Sequence, residues 1–372
     1  MTSSIRLGRI AGIEIGLNWS WLVVFALIVW SLSETVFPRQ NPGLGDGQYL
    51  TMAIVASVLF FAALLAHELG HAVVARREGM EIDGITLWLF GGVAKFKGQF
   101  PSAGAEFRIA IAGPLVTLVI AAVLVAAALA LDLPPGADGV VMWLGFINVI
   151  LLVFNLLPAL PLDGGRVLRS AIWHFRGDFT GATRAAAGVA RAFAFLFIAL
   201  GVLRFFMGDT VGGVWMAFIG WFLLAAASAE ARFVAVRDAL HGLRVRDLMV
   251  REPATVSPSL SLGRFMDDVV WSRRYTTYPV VDDGHAVGLL PFRRVAEVPR
   301  AEWDTRRVAD CMLSREHVPV LDEGEELADA LAELSQSDVG RALVLEGDRL
   351  VGFLSRTDLA RAVELGALRR RR

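Results

Sequence analysis

The chain has a single cysteine and no excess of charge of either sign, and each shortage excludes a class of protein. Cys311 is the one cysteine in 372 residues, which excludes an intramolecular disulfide framework and a cysteine-rich zinc site. The formal net charge of -1 gives no basic surplus for nucleic acid. We therefore expect no nucleic-acid partner.

Hydrophobic residues make up 55% of the chain, and the mean hydropathy of +0.55 is too high for an ordinary soluble protein. A helix needs about 20 apolar residues to cross a bilayer. Six runs approach that length, at Asn18–Ser33, Tyr49–Ala66, Ile109–Leu131, Val140–Leu157, Phe193–Phe206 and Gly212–Ala229. The first run has no small-residue cleavage site, so we interpret it as a retained span and not as a signal peptide.

Lysine and arginine are concentrated in alternate loops, which is typical of the cytoplasmic side of a membrane. The basic loops contain Arg6 and Arg9; Arg76, Arg77, Lys95, Lys97 and Arg108; Arg166, Arg169, Arg176, Arg184 and Arg191; and Arg232 and Arg237. The intervening loops contain only Arg39 and Arg204. The pattern predicts a six-span protein of the cell membrane with both termini in the cytoplasm.

The segment Ile82–Gly98, between the second and third spans, has no helical pattern. Its β-branched and aromatic residues flank Gly91-Gly92, which favours a β-hairpin. An irregular cytoplasmic loop fits the same pattern equally well.

The motif His67-Glu68-Leu69-Gly70-His71 ends the second apolar run, where unpaired polar groups are costly. His67 and His71 are four residues apart, so they share one helix face and can both reach one zinc ion. Glu68 is placed to act as general base towards water, as in the His-Glu-x-x-His motif of metalloproteases. The alternative is a helix end whose histidines face the cytoplasmic interface.

A catalytic zinc ion also needs a third protein ligand, and Asp163 follows the fourth span. The loop charges give spans two and four the same direction, so Asp163, His67 and His71 should converge on the cytoplasmic side. The alternative is a loop in which Asp163 pairs with Arg166 or Arg169.

Two prolines precede Asp163. Pro158 and Pro161 remove backbone donors and should break the helix, which is tolerated at membrane depth where a cavity is lined. The following Gly164-Gly165 permits either close backbone packing or positive φ.

An internal repeat appears after about Leu243, where the composition becomes that of a soluble α/β unit. Pro279–Leu290 aligns without a gap to Leu343–Leu354, and each copy reads as strand, polar turn and strand. Helical segments near Leu262–Val270 and Leu327–Leu334 precede the two copies. The repeat predicts two similar modules packed together.

The motif HELGH in an apolar helix, followed by NLLPALPLDGG, resembles the site-2 protease family of intramembrane zinc metalloproteases. The Leu-Phe-Gly-Gly segment after the first motif and Ala-Gly-Pro114 are similar to that family as well. The repeat resembles a CBS-domain pair. The two resemblances together cover nearly the whole chain.

The protease resemblance implies that His67, His71 and Asp163 bind one catalytic Zn²⁺ and that Glu68 activates water. Asn155 would line the active site and hold the substrate backbone or the oxyanion, although it could equally bond a neighbouring helix. The hairpin at Gly91 and Gly92 would lie nearby and pair with an unwound substrate strand.

The CBS resemblance implies an adenine nucleotide as regulator, with Ser355 and Asp358 holding phosphate and ribose. The first copy has Pro291 and Arg294 at the corresponding places, so we expect one such site and not two. The alternative is that Ser355 caps a helix whose first turn contains Asp358. A homodimer through the CBS pair is a further expectation.

These observations predict a mainly α fold: a polytopic six-helix transmembrane bundle with a small β-hairpin segment, then a cytoplasmic α/β tandem CBS module. The expected domains are residues 1–235 and 243–372, with repeats at about 245–300 and 308–365. The expected function is zinc-dependent intramembrane proteolysis of a single-span membrane protein, such as a membrane-tethered anti-sigma factor.

Two alternatives are a CBS-regulated membrane transporter or channel with a structural metal site, and a catalytically inactive scaffold stabilised by metal. A transporter would be expected to show repeated halves or buried charges along a path. Here the intramembrane charged groups cluster at one site instead, which favours the enzyme. The intact Glu68 argues against the inactive scaffold, since a purely structural site has no use for a base.

Overall fold

A computed structural model describes residues 5–88, 91–96, 98, 100–273, 275–337 and 339–369. Leu89 and Phe90, the first half of the Leu-Phe-Gly-Gly segment, lie outside the described residues. The chain divides into two compact units, Met1–Val234 and Ala235–Arg372.

The first unit is mainly helical. Its helices are α1 (Trp19–Gln40), α2 (Asp46–Arg77), α3 (Ala103–Ala130), α4 (Pro135–Asn155), α5 (Asp163–Arg176), α6 (Phe179–Phe206) and α7 (Thr210–Leu240). All but α5 are long and apolar enough to cross a membrane, and they coincide with the six predicted spans. The predicted fold class is therefore confirmed. Several helices extend beyond the apolar runs, because hydropathy marks the hydrocarbon segment and not the helix end.

A four-stranded sheet accompanies these helices. Its strands are β1 (Ile5–Ile10), β2 (Ile13–Leu17), β3 (Ile82–Trp88) and β4 (Gly91–Phe96), paired in that order. The β3–β4 hairpin confirms the prediction for residues 82–98 and excludes the irregular loop. Strands β1 and β2 were not predicted, because their segment was interpreted only as a basic loop. Since β2 pairs in parallel with the distant β3, no local pattern marks this sheet.

The sheet packs against the C-terminal half of α2, which contains the HELGH motif. Ile13, Ile15 and Ile85 from the strands form a buried cluster with Ala72 of that helix. This packing carries β4, the last strand of the sheet, to the helix turn that contains the HELGH motif.

The predicted break after α4 is present. Helix α4 ends at Asn155, and α5 begins at Asp163 after a non-helical segment at residues 156–162. Asp163 is therefore the first residue of the next helix. Gly164 and Gly165 serve close packing and not positive φ, because a Cβ on either would lie 2.3 Å from a backbone atom of this segment.

The second unit contains the repeat as two β-hairpins. Its sheet is ordered β6 (Thr277–Asp282), β7 (His285–Pro291), β11 (Arg349–Ser355), β10 (Arg341–Glu346) and β9 (Val320–Asp322). Two short strands, β5 (Val250–Arg251) and β8 (Leu313–Ser314), pair with β11 and β7. The β6–β7 and β10–β11 hairpins match the aligned segments.

Short helices complete the second unit. They are α8 (Val245–Leu248), α9 (Leu262–Arg264), α10 (Trp271–Arg273), α11 (Phe292–Ala296), α12 (Val308–Cys311), α13 (Leu327–Gln336) and α14 (Arg356–Arg369). A π-helical stretch, Phe265–Val270, joins α9 to α10. Each hairpin covers its own hydrophobic core, so the unit consists of two similar modules.

Candidate metal centre

Three potential ligand groups from two helices meet in the first unit. His67 and His71 lie one turn apart on α2, and Asp163 begins α5; all three are buried. The two Nε2 atoms lie 3.1 Å apart. The carboxylate oxygens of Asp163 lie 3.2 Å from Nε2 of His67 and 3.3 Å from Nε2 of His71. The structure thus brings together the three residues that the sequence selected.

The other nitrogen of each imidazole is hydrogen-bonded to α3. Nδ1 of His71 lies 2.7 Å from the backbone carbonyl of Ile109, and Nδ1 of His67 lies 2.8 Å from the hydroxyl of Thr117. A carbonyl only accepts, so Nδ1 of His71 is the donor, and in the neutral ring Nε2 presents a lone pair. Such an outer contact sets the tautomer and orientation typical of metal-binding histidines.

The arrangement fits a tetrahedral zinc ion. Nitrogen and oxygen ligands at about 2.0–2.1 Å from zinc lie roughly 3.3 Å from one another in a tetrahedron. The separations of 3.1–3.3 Å observed here agree with that spacing. A cation also removes the repulsion between lone pairs and carboxylate that such an approach would otherwise create. Two imidazoles and one carboxylate leave a fourth position for water or substrate.

Gly113 of α3 lies directly against the ligand atoms. A Cβ at this position would lie 2.3 Å from Nε2 of His71 and 2.7 Å from Nε2 of His67. The glycine therefore leaves the space beside the two nitrogens free. It is part of the Ala-Gly-Pro114 segment, in which the sequence indicated a resemblance but no role.

Glu68 lies beside the cluster and lines a cavity of about 350 Å³ together with His67, His71 and Asp163. Gly92 of β4 packs on this carboxylate, since a Cβ on Gly92 would lie 2.4 Å from Cγ of Glu68. The hairpin therefore limits where the Glu68 side chain can lie.

Asn155 and Gly91 line the same cavity as Glu68. The remaining wall is mostly apolar, with Leu64, Trp88, Leu151, Phe154 and Phe222. Arg166, one turn after Asp163 on α5, is also at the wall. The structure thus brings the predicted site residues of the first unit to one place.

The alternative in which Asp163 simply pairs with Arg169 does not describe this structure. Arg169 binds the carboxylates of Glu106 and Glu230 instead, and Asp163 faces the two imidazoles. Sequence reasoning missed Thr117, Ile109 and Gly113 of α3. Thr117 did carry a signal, because a polar residue within an apolar span usually has a specific partner.

In the second unit, Ser355 and Asp358 are engaged with each other. The Asp358 carboxylate accepts from the backbone N–H of Ser355 at 3.0 Å and from its hydroxyl at 2.6 Å. This is the capping arrangement at the start of α14. Both residues also line a cavity of about 230 Å³ with Tyr275 and Arg341.

Arg341 also lines that cavity, and the pKa of its guanidinium is shifted. Burial lowers the pKa of its guanidinium, and the negative charge of Asp358 partly offsets the shift. Arg294 of the first copy lines a larger cavity of about 1140 Å³, which Arg341 also lines, and binds the carbonyl of Met312 at 3.0 Å. The two copies therefore present different chemistry.

A buried His-His-Asp cluster with an adjacent glutamate, in a unit whose described residues include six helices of bilayer length, defines an intramembrane metallopeptidase. Comparison with known proteins agrees with this class. The model of peptidase family M50 matches residues 55–134 and 133–200, and the CBS-domain model matches residues 245–300 and 308–365. The chain belongs to this peptidase family, that of the site-2 proteases, and carries a CBS pair.

Several relatives match nearly the whole chain. The Rip3 protein of Mycobacterium tuberculosis is 39% identical over 370 residues, which cover 98% of this chain and 94% of that protein. Zinc metalloprotease MJ0392 of Methanocaldococcus jannaschii is 30% identical over 98% of this chain and 97% of its own length. A solved structure described as a site-2 protease from the same archaeon covers 61% of this chain and 95% of that chain at 30% identity, with a TM-score of 0.43.

Proposed function

We propose that this membrane metalloprotease hydrolyses a peptide bond in or near the transmembrane segment of a membrane-protein substrate. The observation that carries the proposal is the meeting of His67, His71 and Asp163 beside Glu68 in a cavity between apolar helices. These three residues would hold one zinc ion, and Glu68 would act as the base.

Each side chain has a separate task in this proposal. A bound zinc ion supplies Lewis acidity for water and for the scissile carbonyl. Glu68 accepts a proton from water in the cavity and then delivers it to the leaving amine. The contacts of His67 with Thr117 and of His71 with Ile109 hold the imidazoles in place during this transfer.

We infer that the substrate binds as an extended strand. A transmembrane helix must first lose its internal hydrogen bonds before a peptide bond is reachable. Strand β4, with Gly91 and Gly92, ends the sheet, and among the described residues no strand pairs with its outer edge. Strand addition there would bring the substrate backbone to the cavity that Gly91, Gly92 and Glu68 line. Asn155 would hold the substrate backbone or the developing oxyanion.

The proposed substrate class is a single-span membrane protein, such as a membrane-tethered anti-sigma factor. The test is co-expression of the full chain with a panel of tagged single-span proteins, comparing wild type with Glu68→Gln. A substrate should be cleaved within or next to its span by wild type only. Equal processing in both strains would contradict the proposal. Transport of a solute by both forms would support the transporter alternative.

The second unit is proposed to bind adenine nucleotide near Ser355 and Asp358 and so to modulate the protease. The cavity there offers a hydroxyl, a carboxylate, the Arg341 cation and the Tyr275 ring. Calorimetry on the full chain should give binding that Asp358→Ala abolishes. Absence of heat with AMP, ADP and ATP would reject the idea and leave the capping role of Ser355.

The remaining proposals concern topology and assembly. We propose domains at residues 1–235 and 243–372, both termini in the cytoplasm, and a homodimer through the CBS pair. Cysteine labelling in a Cys311→Ala background would test the orientation from single cysteines at the ends. Native mass spectrometry, with and without residues 243–372, would test the dimer.

A further inference from the structure

One buried charge in the first unit has no part in the proposed chemistry. Arg169 on α5 is 1% exposed, and its guanidinium lies at the meeting point of α3, α5 and α7. The sequence suggested a cation in the basic loop between the fourth and fifth spans, or a partner for Asp163. In the structure Arg169 lies on α5, between those spans, and its partners are two glutamates.

The guanidinium is bound on two sides by carboxylates from different helices. Its Nε donates to Oε1 of Glu106 on α3 at 2.7 Å, and one terminal nitrogen donates to Oε1 of Glu230 on α7 at 2.8 Å. The rings of Phe179 and Phe100 lie 4.9 and 5.9 Å from the guanidinium carbon. A planar donor group held in this way has one orientation, which an ammonium group would not reproduce.

This cluster joins α5, which carries Asp163, to α3, whose Thr117 and Ile109 hydrogen-bond the two histidines. Arg169 lies six residues after Asp163 on the same fourteen-residue helix, about 9 Å along its axis. Glu106 lies three residues before Ile109, whose carbonyl orients His71, and on the same helix as Gly113. The Arg169–Glu106 pair is thus a polar connection between the support of the histidines and the helix that carries the carboxylate.

Stability alone is a weak explanation for a buried ion cluster. Removing charges from water costs about as much as their mutual attraction returns, and apolar packing would join the helices as firmly. The fixed donor directions of a guanidinium constrain the relative position of the helices more than apolar packing does. The segment at residues 156–162 packs against Gly164 and Gly165 at the first turn of α5, whereas the ion cluster holds the helix at Arg169, further along its axis.

We propose that Arg169 is a positioning residue of the metal centre. By binding Glu106 and Glu230 it sets the position of α5, and hence the distance of the Asp163 carboxylate from the imidazoles of His67 and His71. This inference rests on the proposed role of those three residues as metal ligands.

The test uses the full-length protein in lipid nanodiscs and measures zinc affinity by chelator competition and the visible spectrum of the Co²⁺-loaded form. Arg169→Met should raise the zinc Kd at least tenfold, alter the Co²⁺ spectrum and lower kcat, with KM changed less than twofold. Arg169→Lys keeps the charge without the planar donors and should raise the Kd several-fold. Arg176→Met, an exposed arginine on the same helix, is the matched control and should match wild type.

A second variant, Glu230→Gln, keeps the test informative if the Arg169 variants fail to fold. Its carboxylate is 33% exposed, so the change is mild, and we expect a zinc Kd raised about threefold at an unchanged melting temperature of the metal-free protein. Unchanged zinc affinity and spectrum in Arg169→Lys and Glu230→Gln would overturn the positioning role. Unchanged zinc affinity in Asp163→Ala would instead overturn the ligand assignment on which it rests.

Discussion

Glu68 lies beside the metal centre but is not one of its three potential ligands, which are His67, His71 and Asp163. His67 and His71 point their Nε2 atoms at Asp163, whereas the Glu68 side chain lies under Gly92 at the cavity wall. Binding of metal and transfer of protons are therefore assigned to different residues, and substitution should separate them.

We expect Glu68→Gln to retain zinc and to lose cleavage by about 10²–10⁴-fold, the usual contribution of a general base. His67→Ala should lose both zinc and cleavage, because it removes a ligand. Zinc content by atomic emission and cleavage of a tagged substrate measure the two properties. Normal proteolysis by Glu68→Gln would remove the assigned base.

Gly113 should be intolerant of any side chain. The added methyl of Gly113→Ala would lie 2.3 Å from Nε2 of His71, so we expect a zinc Kd raised tenfold or more. Gly104→Ala is the matched control on the same helix, since its methyl would meet only the flexible end of Arg108. Equal zinc affinity in the two variants would contradict the prediction, because it would show that zinc binding does not need the space beside Gly113.

At the scale of elements, the hairpin and the break between α4 and α5 bring non-helical backbone to the cavity beside the metal cluster. Strand β4 contacts Glu68 through Gly92. Gly164 and Gly165 lie so close to the segment before α5 that a Cβ on either residue would clash with its backbone. Both elements depend on glycine for close approach. Irregular backbone at membrane depth is tolerated where it is covered by protein or lines a cavity.

Gly92→Ala should therefore act on catalysis through the placement of Glu68. The methyl would lie 2.4 Å from Cγ of Glu68, and a displacement of about 1 Å at a catalytic group costs roughly 100-fold. We expect kcat to fall 10- to 100-fold at unchanged zinc content.

The control for that variant is Gly47→Ala on α2, where the methyl meets nothing within 4 Å. This control should keep activity within twofold. Wild-type kcat in Gly92→Ala would argue that β4 does not constrain the base.

For the whole molecule, we expect the two units to differ in their dependence on metal. Among the described residues, one group of three or more His, Cys, Asp or Glu side chains has its ligand atoms within 4.8 Å of one another, and it is the cluster of the first unit. The second unit has two hydrophobic module cores of its own. Metal should therefore stabilise the first unit specifically.

Removal of zinc by a chelator should raise backbone hydrogen exchange around His71 and at the start of α5, and leave exchange in β10 and β11 unchanged. A ligand present at 1,000 times its Kd stabilises the folded form by about 4 kcal/mol, so its loss is measurable. Hydrogen-exchange mass spectrometry on wild type and Glu68→Gln should give the same pattern. Equal effects in both units would contradict the assignment of the metal to the first.

The amino-acid sequence by itself determined the six spans, the pairing of HELGH with Asp163 and the duplicated hairpin. The spans follow from composition, the histidine pair from its four-residue spacing, and the hairpins from an ungapped repeat. The choice of Asp163 followed from the span directions given by the loop charges and from the family resemblance. The break between α4 and α5 followed equally from Pro158 and Pro161.

Only the tertiary structure decided what surrounds those residues. Thr117 is 50 residues from His67, Ile109 is 38 from His71, and Glu106 is 63 from Arg169. The parallel pairing of β2 with β3 likewise joins distant segments. Such contacts arise when helices pack and exclude one another's atoms, and a pattern within one segment does not specify which distant atom will fill the remaining space.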